Sequence, residues 1–535
     1  MKKAGFLNNE LDRWRIFSAA GFFILVLLLA WQSDDAYHGY VMSRNLAEGH
    51  GLVYNIGERS TASTCPLFTL IIALFYFITR EMYFTSIMVC ALFSLAAYLI
   101  LVKKLCRTKE QVIICFITLT GSISFMSYTT SGLENSLLFF LSGLFLLSIN
   151  KKETYDAKAL FIPALILSFL AMARMDSVLI FVPFIVWIYL FKRDNVSFIK
   201  AVFIGLAGLL PFILWELFAV FYFGFPFPNP AYVKLGSGIA VSEYLKRGII
   251  YGIVTGLNDL TVIAVPATVV ILTLISKRLK YILLSAGIVL YLIYIIRIGG
   301  DFMMGRHFTN LLYVSLGTGM MLNNEVSGEV RKTPVMRKAL YLVCFVSVVF
   351  SLTFGHAVGS QFLGGHMYGS HITDEREYYF GTTGFFNNAL NLVRKGELLI
   401  SKTWNNEAAD DIRANGLNGG IVDNAAGIFV YYNPDLYLND TFALGDPFLS
   451  KLPAEYVPNW RVGHLRREIP HGYKASIWFN ENRVEDPDLH EYYDKIRLIT
   501  RGELFAEGRI KTIIDMNLGK YSYLIKNYEE RRKVE

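Results

Sequence analysis

Charge is scarce in this chain. Only 18% of its 535 residues are Asp, Glu, Lys or Arg, against about 25% in soluble globular domains. With 54% hydrophobic and 15% aromatic residues, that shortage excludes an ordinary water-soluble enzyme and a disordered segment alike. Cysteine is also sparse: Cys65, Cys90, Cys106, Cys115 and Cys344 are all there are. None follows Cys344, and no CxxC pair or zinc-type Cys/His spacing occurs, so the C-terminal region has no disulfide framework and no zinc module is expected. Internal repeats and low-complexity tracts are missing too. The net charge of +7 is no nucleic-acid footprint, because much of it lies in short clusters between apolar runs.

Those runs dominate the first two thirds of the chain. Several reach the roughly 17 to 25 residues that a helix needs to cross a bilayer, and about eleven spans can be drawn between residues 16 and 355. The first, 16–31, follows Lys2, Lys3, Arg13 and Arg15 and lacks a small-residue cleavage site, as in an uncleaved signal-anchor. The run 66–79 is short for a span and reads as a tilted or re-entrant helix. With it left uncrossed and the N-terminus cytoplasmic, Lys103-Lys104, Lys151-Lys152, Lys192-Arg193, Lys277-Arg278 and the loop with Arg331 and Arg337 all face inward, as the positive-inside rule requires. The acidic and mixed-charge connections then share the outer face with the C-terminal region.

After about residue 356 the long apolar runs give way to Gly, Asn, Asp and charged residues. Residues 356–535 are enough for one domain, and GGIVDNAAGIFVYY reads as strand, turn and second apolar element. The expected architecture is a polytopic α-helical membrane domain, 1–355, followed by a soluble, extracytoplasmic α/β domain.

The residues that could carry chemistry start with Asp34 and Asp35, in the first outer loop, 32–66. A carboxylate at the mouth of a lipid-walled cavity can take a proton from an attacking hydroxyl or stabilise charge at a sugar carbon; equally, one of the pair can cap the next helix. Asp34 is the preferred catalytic group and Asp35 its partner or the cap. The run Gly299-Gly300-Asp301-Phe302-Met303-Met304-Gly305-Arg306 reads by itself first as a glycine-rich turn between two spans; alternatively it combines close backbone approach to a ligand with an arginine suited to phosphate. Glu134, the Arg174/Asp176 pair and Lys234 stand at other span ends; ion pairing within the protein is as good a reading of them as substrate binding. His38 and His50 have no partner at metal-ligand spacing, and His356, His366 and His371 are scattered along a loop. No metal ligands are assigned, although the acidic pair is compatible with a divalent cation.

Together these stretches resemble a known family. DDAYHGYVMSRNLAEGHGLVYNIGERSTASTCPL, SGLEN, ARMD, PNPAYVK and GGDFMMGR are similar to signatures of bacterial membrane proteins related to mycobacterial arabinofuranosyltransferase B. ITDEREYYF, LNDTFALGDPFL and WRVGHLRREIPHGY resemble that family's extracytoplasmic domain. Met175, Ser177 and Cys65 depart from the pattern without removing a charge.

The resemblance implies a GT-C class glycosyltransferase of the cytoplasmic (inner) membrane. Its activity would be transfer of a pentofuranose, arabinofuranose being the implied sugar, from a polyprenyl-phosphate donor to a glycan, lipopolysaccharide or surface protein. Asp34 or Asp35 would be catalytic, and Glu134, Arg174, Asp176, Lys234, Asp301 and Arg306 would line the donor and acceptor pockets. A non-catalytic partner of a surface organelle, such as a flagellar motor-control protein, is the alternative; a transporter fits less well, because the ionisable residues lie at span ends rather than at the midplane.

Overall fold

The computed structural model describes residues 10–235, 238–326, 333–355, 371–402, 406–422, 426–455 and 460–532. Helix dominates. Among the described residues three helices, Tyr83–Leu105, Leu279–Arg297 and Pro334–Thr353, are long and apolar enough to cross a membrane, and two bent helix pairs, 198–222 and 241–276, would raise that number to five. Four shorter apolar helices accompany them, among them Pro66–Thr79, the run expected to fall short of a full crossing. His356, His366 and Arg331 lie outside the described residues.

The chain forms two compact units that do not follow its order. The first comprises residues 1–33, 86–212 and 240–387. At its centre is the helix Phe308–Glu325, whose side chains from Phe308 to Asn323 are all buried. A helix apolar or small on every face belongs inside a bundle, and its glycines allow close packing: a Cβ at Gly317 would fall 2.4 Å from Leu146. Its partners answer in kind, since a Cβ at Gly143 would fall 2.4 Å from the Tyr313 hydroxyl. Small residues of this kind let helix backbones approach where lipid gives no hydrophobic drive. Local signals set the ends, as where Thr108 and Gln111 form a reciprocal capping box at the start of Lys109–Gly121.

The second unit comprises residues 34–85, 213–239 and 388–535. It contains a parallel strand pair, β1 (Gly419–Val422) and β2 (Tyr437–Asp440), in register Gly419↔Tyr437 to Val422↔Asp440. The helix Ala426–Tyr432 lies between them in the chain, as a parallel pair requires of its crossover. One core gathers Phe225, Phe448, Tyr473, Tyr493, Ile496 and Ile499. Another joins Val41, Met42 and Tyr54, from the stretch after the first apolar segment, to Phe429 and Leu438 from the C-terminal part.

Candidate functional site

The residues singled out by sequence fall into two sets, one in each unit. In the second unit, Asp34, Asp35 and His38 occupy the first turns of the helix Asp34–Ala47. Acidic residues favour that end, where the helix dipole is positive. The Asp34 carboxylate does not cap its own helix. It accepts the Ile428 N–H at 2.8 Å and the Gly427 N–H at 3.1 Å, and so holds the first turn of Ala426–Tyr432. Gly427 is required for the approach, because a Cβ there would sit 2.1 Å from the Asp34 carbonyl oxygen.

The surroundings close over Asp34 and leave Asp35 more open. Asp34 is buried and Asp35 half-buried, and no residue among those described hydrogen-bonds the Asp35 carboxylate. The His38 ring bonds the Tyr54 hydroxyl through Nδ1 at 3.0 Å. Asn45 fixes the loop bearing Tyr54 by donating to the Val53 and Tyr54 carbonyls. Gly49 and Gly51, at φ +89° and +92°, turn the chain after the helix. Burial pushes the Asp34 carboxyl up to about 6, against the opposing pull of His38 and the two amides. Burial also raises Asp440, again opposed by His38. Asp440 was missed in sequence; the turn following β2 is what places it, its carboxylate accepting the Phe442 and Leu444 N–H groups.

Asp34, Asp35 and His38 each offer one ligand atom, all within 4.8 Å of one another. Two carboxylates and an imidazole whose other nitrogen is held by a second group are a donor set that could take a divalent cation. Sequence reasoning gave His38 no metal partner. The i, i+4 spacing from Asp34 on one helix face was the available signal.

In the first unit, Glu134, Arg174, Asp176, Asp301 and Arg306 come together. Arg174 bonds Glu134 at 2.8 Å and Asp176 at 2.8 Å. Arg306 spans both Glu134 oxygens at 3.0 and 3.1 Å and lies 3.6 Å from Asp301. His307, which the sequence reading passed over although it follows Arg306 directly, lies 3.5 Å from Asp301 and 3.3 Å from both Arg174 and Tyr291. The glycines of the run turn the chain against the protein's own side chains. Gly300, at φ +73°, would place a Cβ 2.4 Å from the Tyr251 ring, and Gly305, at φ +76°, one 2.2 Å from Ser124. Thr373 pairs with Met303 across a short bridge, so part of ITDEREYYF lies against GGDFMMGR within this unit. Three carboxylates thus surround two guanidinium groups, and a ligand phosphate would have to compete with Glu134 for both.

Lys234 belongs to the second unit. It stands, exposed, on the short helix Asn229–Leu235. No protein-family model matches the chain, and no curated protein matches it.

Proposed function

We propose that this chain is a polytopic membrane glycosyltransferase of GT-C type, with about eleven spans and an extracytoplasmic α/β domain, taking its sugar from a lipid-linked donor. More particularly, it transfers a pentofuranose, arabinofuranose by the resemblance of its motifs, from a polyprenyl phosphate to an acceptor outside the cytoplasmic membrane. The observation that carries this reading is the Asp34–Asp35–His38 cluster. It pairs a carboxylate that no residue among those described hydrogen-bonds with one anchored to two amides, on a helix that begins a few residues after an apolar one.

The geometry favours a division of labour opposite to the one preferred from sequence. Asp35 is free to receive the acceptor hydroxyl's proton as general base, while Asp34 and His38 hold the wall beside it. A divalent cation, where bound, would be held by Asp34, Asp35 and His38 and would neutralise developing negative charge. The arginines of the first unit are committed to Glu134, so a donor phosphate would have to displace that carboxylate to reach them; Lys234 stays a candidate for it by the resemblance of PNPAYVK alone.

Making Asp34→Ala and Asp35→Ala separately, and measuring sugar transfer from a polyprenyl-phosphate pentofuranose in membranes, tests the reading. Loss of about 10²- to 10⁴-fold in the Asp35 variant is expected for removal of a general base. Full transfer by both variants would sink the assignment.

A further inference from the structure

The helix Arg509–Asn517 is apolar on two sides. Its inner side enters the core of the second unit through Ile513. Its outer side exposes Ile510, Ile514 and the following Leu518, which is 70% accessible, at i, i+4 and i+8, one stripe of a helix. Phe505, just upstream, is 85% accessible. Water-facing helices carry polar residues at such positions, and contiguous exposed apolar surface marks a binding face.

Where this helix is fastened says what covers it. The apolar helix Leu210–Tyr222 ends at Tyr222, leaving the last carbonyls without partners inside the helix. Arg509 donates to the Tyr222 carbonyl at 2.9 Å and Asn517 to the Gly224 carbonyl at 2.8 Å, while the Phe505 and Phe221 rings lie 5.7 Å apart. Leu210–Tyr222 belongs to a bent pair with the hydropathy of a span. Whether that pair crosses once or re-enters, its end lies at a membrane boundary. Through Phe221 the exposed stripe continues the exposed apolar side of 213–222, where Leu217 is 64% accessible. Lys511, exposed on the same helix, stands at the edge of the stripe, where a lysine can reach lipid phosphate.

We propose that residues 505–518 form an interfacial anchor, lying in the outer headgroup–acyl boundary with Phe505, Ile510, Ile514 and Leu518 in lipid. The C-terminal part of the chain is then seated on the bilayer rather than standing free in water. This does not depend on the transferase reading.

The test uses the full chain in lipid vesicles, with Cys65→Ser removing the half-buried thiol (the other four cysteines are buried). An environment-sensitive fluorophore is placed at Leu518→Cys and, separately, at Phe505→Cys. Blue-shifted emission, quenched severalfold more by lipids brominated near the headgroup end of the acyl chain than by aqueous iodide, is expected at both sites. Water-like emission with iodide quenching would overturn the proposal. So would shielding from both quenchers that disappears when each vesicle holds a single copy, which would assign the stripe to a second protein chain.

Discussion

The two charged clusters use the same residue types and end in opposite states. In the first unit every guanidinium nitrogen of Arg174 that bonds does so to Glu134, Asp176 or His307, and Arg306 chelates Glu134. In the second unit two adjacent carboxylates share a helix terminus with a histidine, and one of them, Asp35, is left open. Charge density alone therefore does not mark a reactive site. What separates the two is whether each charge already has its counter-charge, and by that measure the first cluster joins helices while the second has capacity to act on something else.

Breaking the first cluster should have the largest effect. Glu134→Ala leaves two guanidinium groups facing each other without the carboxylate they share. Removing one member of a buried ion pair costs about 3–5 kcal/mol, so the variant should unfold at clearly lower temperature in detergent, or fail to accumulate. Glu134→Gln, which keeps the shape and some hydrogen bonds, should fall between. A Glu134→Ala protein as stable as the parent, but defective in transfer, would move this cluster from scaffold to site and dissolve the contrast.

The distinction was only partly legible in the sequence. Hydropathy marked apolar segments, a local signal, although of the roughly eleven spans drawn only three to five helices among the described residues have the length and composition of a span. Pairings between distant segments were not legible: nothing in ARMD or SGLEN says that Arg174 will meet Glu134, and the sequence reading left pairing and substrate binding equally open for them. The anchoring of Asp34 by Gly427 and Ile428 joins positions nearly four hundred residues apart. A local reading could weigh Asp34 only as a catalytic group or as a cap for the helix that it begins, not as an anchor for a distant one. The long-range pairs are also why the second unit gathers residues 34–85 and 213–239 with the C-terminal part, where composition suggested a break near 356.

A glycine in each unit sharpens the comparison at smaller magnitude. Gly427→Ala introduces a methyl 2.1 Å from the Asp34 backbone oxygen, which must push the helix Ala426–Tyr432 away and weaken both amide bonds to the carboxylate. Overpacking of this kind costs about 1–3 kcal/mol. Gly300→Ala meets the Tyr251 ring and adds the strain of a left-handed φ. Both should lower thermal stability to a similar degree. Only Gly427→Ala should also shift the pH dependence of transfer, since only it releases a titrating carboxylate.

That pH dependence is the finest probe. On the proposed reading, transfer needs Asp34 ionised, so that both its oxygens hold the Gly427 and Ile428 amides beside Asp35; burial pushes its carboxyl up to about 6. Activity should therefore fall as pH drops through about 6. The stability linkage runs the other way: a carboxyl raised above its unfolded value contributes stability that is fully present below the ordinary carboxylate range and lost as pH rises through about 6. Asp446, also pushed up to about 6 by burial, acts in the same direction. Acid loss of transfer in a protein that is no less stable would thus report the site rather than unfolding. His38 opposes the rise at Asp34, so His38→Ala should move the acid limb to higher pH by a fraction of a unit, while Lys511→Ala, at the edge of the proposed anchor, should leave it unmoved. An acid limb unchanged by His38→Ala would mean that the titrating group is not Asp34, and the opening at Asp35 would then have to be explained without its neighbour.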